Sequence, residues 1–184
     1  MERGRNFKML QEIVECNKKI TDLYTVYFEN RKLYIRAEEL SVSMNMYIAP
    51  LVEHRDAFDH LMRCFEKLDE NEKDFVKEID SALEHELRAY YDIADYICIQ
   101  IREYIADVLN NMRAKDIKDI WVEYESKKRE IFDLSVEIAK VRNERKSSLD
   151  SVFKYRDEVM PKLFNIYEDF IKKFDTRIRG RINP

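Results

Sequence analysis

Residues 52–63, VEHRDAFDHLMR, hold two of the chain's three histidines, His54 and His60, with Arg55, Asp56, Asp59 and Arg63 between and beside them. An imidazole exchanges protons near neutral pH, and a guanidinium fork grips phosphate oxygens in pairs. An arginine, a histidine and a carboxylate on one surface are therefore equipment for polarising a phosphate and moving a proton. On a helical wheel turning ~100° per residue, Ala57, Phe58, Leu61, Met62, Cys64, Phe65 and Leu68 join Leu51 on an apolar arc. His54 lies near the middle of that arc, where a histidine is more often a hydrogen-bonded core side chain than a ligand. Arg55 and His60 stand roughly 140° apart, at opposite edges of the polar arc, with Asp56, Asp59 and Arg63 between them. Asp56 and His60 are four residues apart and hence neighbours, so the carboxylate can orient the imidazole. The same arc also reads as a solvated face laced by Arg55–Asp59 and Asp59–Arg63 ion pairs.

Arg55-Asp56-Ala57-Phe58-Asp59-His60 resembles the motif of the HEPN superfamily, an arginine and a histidine four to six residues apart with a polar residue after the arginine. Asp56 fills that polar place. The resemblance covers these six residues and the helical character of the chain. It implies an all-α bundle and a metal-independent endoribonuclease, of toxin or defence type, that dimerises to bring two motifs into one composite cleft. Arg55 would then hold the scissile phosphate, and His60 would transfer protons while the RNA 2′-hydroxyl attacks, leaving a cyclic phosphate. A competing reading is a non-catalytic scaffold or interaction module, whose motif binds nucleotide or holds a dimer together. The net charge of −4, from 33 basic and 37 acidic residues, favours the latter, since general nucleic-acid binders are normally basic. The spacing and its adjacent aspartate favour the former.

Other constellations carry less. Di-iron bundles need Glu-x-x-His pairs, which the sequence lacks, and Glu84-His85-Glu86 spreads consecutive residues over different faces as an exposed charge cluster. No metal or cofactor is expected. Tyr90, Tyr91, Tyr96 and Tyr104 lie on or beside an apolar stripe and are predicted to pack rather than to stack on bases. The basic run Lys140–Lys146 falls where a helix should end and cations meet its dipole; Arg177–Arg181 reads as a solvated terminus.

The elements that must position these residues are helices. Only two glycines, Gly4 and Gly180, and three prolines punctuate 184 residues, too few for the turns of a β-protein. Apolar content of 45% and charge of 38% suit helices with one buried and one charged face. The expected architecture is all-α, an elongated antiparallel bundle of about five long helices forming a single domain over 1–184. The first helix turns Met9, Ile13, Cys16, Ile20, Leu23, Tyr27 and Tyr34 inward. The pattern loosens over 41–50, and Pro50 opens a second helix running to about Leu68. A loop is expected at 69–74. The third helix has the broadest stripe, from Leu83 and Leu87 through Tyr90, Ala94, Ile97 and Ile101 to Tyr104 and Val108. A break is expected at Asn110-Asn111 and Ala114–Asp116. The fourth helix carries Ile117, Ile120, Trp121, Tyr124, Ile131, Leu134, Ile138 and Val141. The fifth, capped by Ser147 or Ser148, carries Leu149, Val152, Val159, Leu163, Ile166, Phe170 and Phe174, with a kink at Pro161. Helices this long, with an arc whose edge residues need a partner, predict a homodimer. Its further contacts would be an RNA substrate and an inhibitor or partner protein. Isolated Cys16, Cys64 and Cys98, no membrane-length apolar run and no signal-peptide pattern predict a cytoplasmic protein without membrane contact.

Overall fold

A computed structural model describes the backbone of residues 2–40, 48–67, 72–143 and 149–182, and the side chains of 14–40, 48–66, 75–141 and 149–174. The described residues are almost entirely helical and contain no strand. In chain order they form α1 (Glu2–Leu40), α2 (Ile48–Lys67), α3 (Glu72–Asn110), α4 (Ala114–Ile120), α5 (Tyr124–Asn143), α6 (Leu149–Lys154), a π turn (Tyr155–Val159) and α7 (Met160–Ile182). No described helix is long and apolar enough to cross a membrane. The looser pattern at 41–47, the loop at 69–71 and the caps Ser147 and Ser148 lie outside the described residues.

Two compact units emerge, one of residues 1–93 with 147–152 and the other of 94–146 with 153–184; α3 contributes to both cores. In the first unit, α2 runs antiparallel to α3, because His54 pairs with Glu86 while His60 pairs with Glu78. Along α1, Lys19 meets Asp80 and Asn30 meets Glu86, so α1 and α3 run the same way. Their meeting point is built from Leu23, Ala57 and Ala82, with Leu61 and Leu83 against it. Small residues at 57, 64 and 82 let the backbones approach closely, and α2 buries the stripe Pro50, Ala57 and Cys64 at a spacing of seven. Pro50 sits in the first turn of α2, where its missing N–H is harmless.

Two expected stripes are rotated. On α1, Ile20 and Tyr27 are exposed, and the buried positions are Leu23, Val26, Asn30 and Ala37. On α2, Phe58, Met62 and Phe65 are exposed, while His60 is half-buried. The wheel weighed hydrophobicity alone. In the fold, carboxylates on α3 hold the histidines of α2 inward, which turns the large apolar side chains out.

The second unit packs the C-terminal half of α3 with α5 and α7. Leu134, Ile138, Val141, Val159, Leu163, Ile166, Phe170 and Phe174 are buried, as their spacing predicts; Val152, also buried, belongs to the first unit. The expected fourth helix is interrupted. Ala114–Asp116 opens α4 rather than breaking the chain, and α4 ends at Trp121, whose extended backbone (φ −125°, ψ 84°) starts a new turn. The run Ile120-Trp121-Val122 is poor helix-forming sequence, and burying Trp121 against Phe170 and Phe174 overrides the remaining periodicity. At Pro161 the sequence predicts a kink, and a π turn lies immediately before it, with the Met160 N–H donating to the Tyr155 carbonyl. The wider turn makes room for a proline ring that would otherwise crowd the carbonyl four residues back.

Candidate functional site

All three histidines of the chain sit where α2 meets α3, each within hydrogen-bond distance of a carboxylate on the facing helix. Heptad-like spacing puts His54 and His60 on either side of buried Ala57, so both point along the groove between the helices. His54 Nδ1 lies 2.9 Å from Glu86 Oε1, and Asn30 from α1 donates to Glu86 Oε2 at 2.7 Å and to the Glu86 carbonyl at 2.8 Å. Glu86 and Asn30 are buried, so this chain of bonds fixes α1, α2 and α3 to one another. His54 is hydrogen-bonded, as its place on the wheel predicts, but half-buried, with 22% of its side-chain surface exposed.

His60 Nδ1 lies 2.6 Å from Glu78 Oε2, and Arg63 Nε reaches the same oxygen at 3.3 Å. Glu78 is buried, while the His60 side chain keeps 20% of its surface exposed. The His60 and His85 rings are 5.2 Å apart and tilted by only 30°. His85 Nδ1 is 2.8 Å from Glu53 Oε2, and the Arg88 fork spans both, its Nε on Glu53 at 2.9 Å and its Nη2 2.7 Å from His85 Nδ1. These contacts require a choice of tautomer. A proton on Nδ1 is donated to Glu53; with the proton on Nε2, Nδ1 accepts from Arg88. Burial pushes the Glu53 carboxyl up, but hydrogen bonds from Arg88 and His85, with their charges, outweigh it and leave the group below the usual carboxylate range.

The three residues singled out from the sequence are placed as follows. Arg55 is exposed and forks onto its neighbour Asp56, with Nε at 3.0 Å and Nη2 at 2.6 Å from Oδ1. That hydrogen bond holds the Asp56 carboxyl low, aided by the nearby His85 and His60. It raises the Arg55 guanidinium in turn. The carboxylate at His60 Nδ1 is therefore Glu78, not Asp56, which acts on the imidazoles only through its charge. The ion pairs are Arg55–Asp56 and Arg63–Glu78 rather than Arg55–Asp59 and Asp59–Arg63.

Sequence reasoning missed Glu53, Glu78, His85 and Glu86. Glu84-His85-Glu86 is not an exposed cluster, since Glu86 is buried and His85 half-buried. A signal was present: Phe75, Ile79, Ala82, Glu86, Ala89 and Ile93 form one seam of α3, and a carboxylate in such a seam needs an internal partner. Among the described residues no group of three or more His, Cys, Asp or Glu side chains is arranged to hold a metal ion.

Two imidazole rings 5.2 Å apart, each beside a carboxylate, with Arg63 on Glu78 and Arg88 on Glu53 and His85, bring together the residue types of proton transfer beside an anion. No protein-family model matches the chain, and searches of curated proteins and of solved structures return no match either.

Proposed function

We propose that the α2–α3 polar cluster cleaves RNA phosphodiesters by metal-independent acid–base chemistry in the cytoplasm, as the HEPN-like motif implies. The observation that carries this reading is the 2.6 Å contact of His60 Nδ1 with buried Glu78, on an imidazole that keeps contact with solvent. An ionised carboxylate only accepts hydrogen bonds, so Nδ1 carries the proton and Nε2 becomes the basic nitrogen. Nε2 takes the proton of the 2′-hydroxyl as its oxygen bonds to phosphorus. The phosphorus–O5′ bond breaks, and His85, whose ring lies 5.2 Å from that of His60, donates a proton to O5′. Arg55 holds the phosphate, leaving Asp56 for the substrate. A 2′,3′-cyclic phosphate and a 5′-hydroxyl result.

Purified protein with single-stranded and structured RNA in EDTA tests this directly. His60→Ala should lower cleavage by ~10²–10⁴-fold. Arg55→Lys should also impair it, because lysine lacks the paired donors. His60→Ala should cost about 1–2 kcal/mol of stability as well, because it strips a hydrogen bond from buried Glu78. The readout must therefore be taken well below the variant's Tm. Equal cleavage by wild type and His60→Ala, or none by either, refutes the reading.

A second reading, a non-catalytic interaction module, is favoured by a different observation. Phe58 and Phe65 of α2 are exposed large apolar side chains, which a self-contained enzyme domain has no need to display.

A further inference from the structure

The second unit carries a groove of its own. It runs between α5 and α7, has a volume of about 570 Å³ and lies wholly within that unit. Sites for small molecules occupy roughly 300–1,000 Å³. The floor is Leu134 and Ile166, both buried and apolar. The rim is polar and carries both signs of charge. From α5 come Ser126, Arg129, Glu130, Asp133 and Glu137, at the three- and four-residue steps that share a helix face, and Lys162 comes from α7.

Most of that rim is already satisfied. Lys162 Nζ reaches both Glu137 oxygens, at 3.1 and 2.9 Å. Glu130 accepts from Lys127 Nζ at 2.7 Å, and Ser126 Oγ donates to the Glu123 carbonyl at 2.8 Å. Arg129 and Asp133 are left over: neither side chain has a hydrogen bond or ion pair to any described residue. They are four residues apart and hence neighbours on one face, yet they do not pair. Their order works against pairing, since the favourable arrangement along a helix puts the acid before the base, and here the base comes first. A guanidinium and a carboxylate therefore stand one turn apart beside an apolar floor, with neither neutralised.

We propose that this groove binds a zwitterionic small molecule with an apolar body, of the amino-acid class. Its carboxylate engages the Arg129 fork, whose paired donors match a carboxylate in plane. Its ammonium meets Asp133, which has Glu130 and Glu137 one turn to either side. Its side chain covers Leu134 and Ile166 and takes their apolar surface out of water. A simple anion would leave Asp133 unanswered, and a diamine would set a second cation beside Arg129. The ligand's two charges must lie close together, which a free amino acid satisfies and a longer peptide, with its termini apart, does not.

The site is independent of RNA cleavage and is tested by binding alone. The full chain, isotope-labelled for NMR, is titrated with L-leucine and L-phenylalanine to about 10 mM, which reaches binding as weak as the millimolar range. Amide signals of residues 126–137 and 162–166 should shift and saturate. Leucinamide, which lacks the carboxylate, and N-acetyl-leucine, which lacks the ammonium, should each bind at least ~10-fold more weakly, the worth of one charge-assisted hydrogen bond. Arg129→Ala should abolish the preference for leucine over leucinamide, and Asp133→Ala the preference for leucine over N-acetyl-leucine. Both positions are exposed, so both variants should fold, and a folding defect could not imitate this pairing of variant with ligand. Lys128→Ala, exposed and outside the groove, should leave binding unchanged. No saturable shift with either amino acid overturns the proposal. So does equal affinity for leucine, leucinamide and N-acetyl-leucine, or tighter binding of putrescine or inorganic phosphate than of leucine.

Discussion

The two units stabilise their cores by different means. In the unit of residues 1–93 with 147–152, the cluster where α1, α2 and α3 meet is made of small and medium side chains, Leu23, Ala57 and Ala82; Asn30, Glu78 and Glu86 are also buried in this unit, and its buried rings among the described residues are Tyr90 and Tyr91 of α3. In the unit that begins at Ala94, the centre is a block of rings. Phe170 and Phe174 stack at 4.5 Å, and Trp121 lies 5.7 Å from each. Its one buried charged group among the described residues, Asp95, accepts a 3.0 Å bond from buried Tyr155. Burying carboxylates beside titratable imidazoles adds little net stability, and a hydrophobic replacement often does as well. The first unit thus joins α2 to α3 through histidine–carboxylate pairs, and the second packs Trp121 against Phe170 and Phe174.

The sharpest way to break that comparison is to remove its largest ring. Trp121 is fully buried, so Trp121→Ala should destabilise the protein by about 3–5 kcal/mol. The measurement is urea unfolding followed by circular dichroism, since the variant loses the only tryptophan. A loss under about 1 kcal/mol, the size of a surface change, would mean the aromatic block is not what holds this unit.

Next in size is Glu86→Ala, expected to cost about 3 kcal/mol, because it strips partners from both Asn30 and His54. Glu86→Gln should recover part of the loss, since its amide oxygen still accepts from Asn30. His54→Ala in the Glu86→Ala background should cost much less than His54→Ala alone. Additive effects would show that the two do not act through one another.

How far the sequence foretold each unit follows the same division. The second unit was legible because burial there follows hydrophobicity: Leu134, Ile138, Leu163, Ile166 and Phe170 fall inside at helical spacing. Its two surprises have local causes. Trp121 ends a helix without glycine or proline to announce it, and the π turn before Pro161 is a response to ring crowding. In the first unit, residue type misled. Phe58 and Phe65 carry far more apolar surface than Ala57 and Cys64, yet the smaller pair is buried. The histidines of α2 pair with Glu78 and Glu86, which lie 18 and 32 residues away; Glu86 stands out as a carboxylate in an apolar seam, but nothing local says which side chain it meets. Arg55, Asp56 and His60 could be picked out as chemically notable from their spacing. Their true partners could not, because pairing across two helices depends on how those helices are rotated.

A smaller effect distinguishes the units by pH. In the folded state the Glu53 carboxyl lies below its ordinary value: the Arg88 and His85 hydrogen bonds overcome the upward push of burial. A depressed folded pKa contributes stability that is fully present above the unfolded value of ~4.3 and is lost as pH falls through the folded value. Acidification from neutral pH should therefore weaken the α2–α3 contact only below about pH 4, and Glu53→Gln should remove part of that acid slope. Hydrogen exchange should show α2 amides losing protection before those of α7. If α7 loses protection first, the acid-sensitive ties lie in the other unit.

The smallest effect expected is at the surface ion pairs, where the units should not differ. Lys162 of α7 reaches Glu137 of α5 at 2.9 Å, with side chains 53% and 32% exposed. Lys19 of α1 reaches Asp80 of α3 at 2.7 Å, with 23% and 44%. Water screens both pairs, and ordering two long side chains offsets much of the attraction, so Lys162→Ala should change stability by at most about 0.5 kcal/mol. Lys19→Ala, at the less exposed lysine, should reach no more than about 1 kcal/mol. The hydrogen bond from Asp80 keeps the Lys19 ammonium above its usual range against the opposing effect of burial. This small contribution should therefore persist through neutral pH and fade only as pH rises through that raised value. Raising salt should shrink both effects further. A Lys162→Ala loss rivalling that of Trp121→Ala would instead make α5 and α7 depend on their charges as the first unit depends on its histidines.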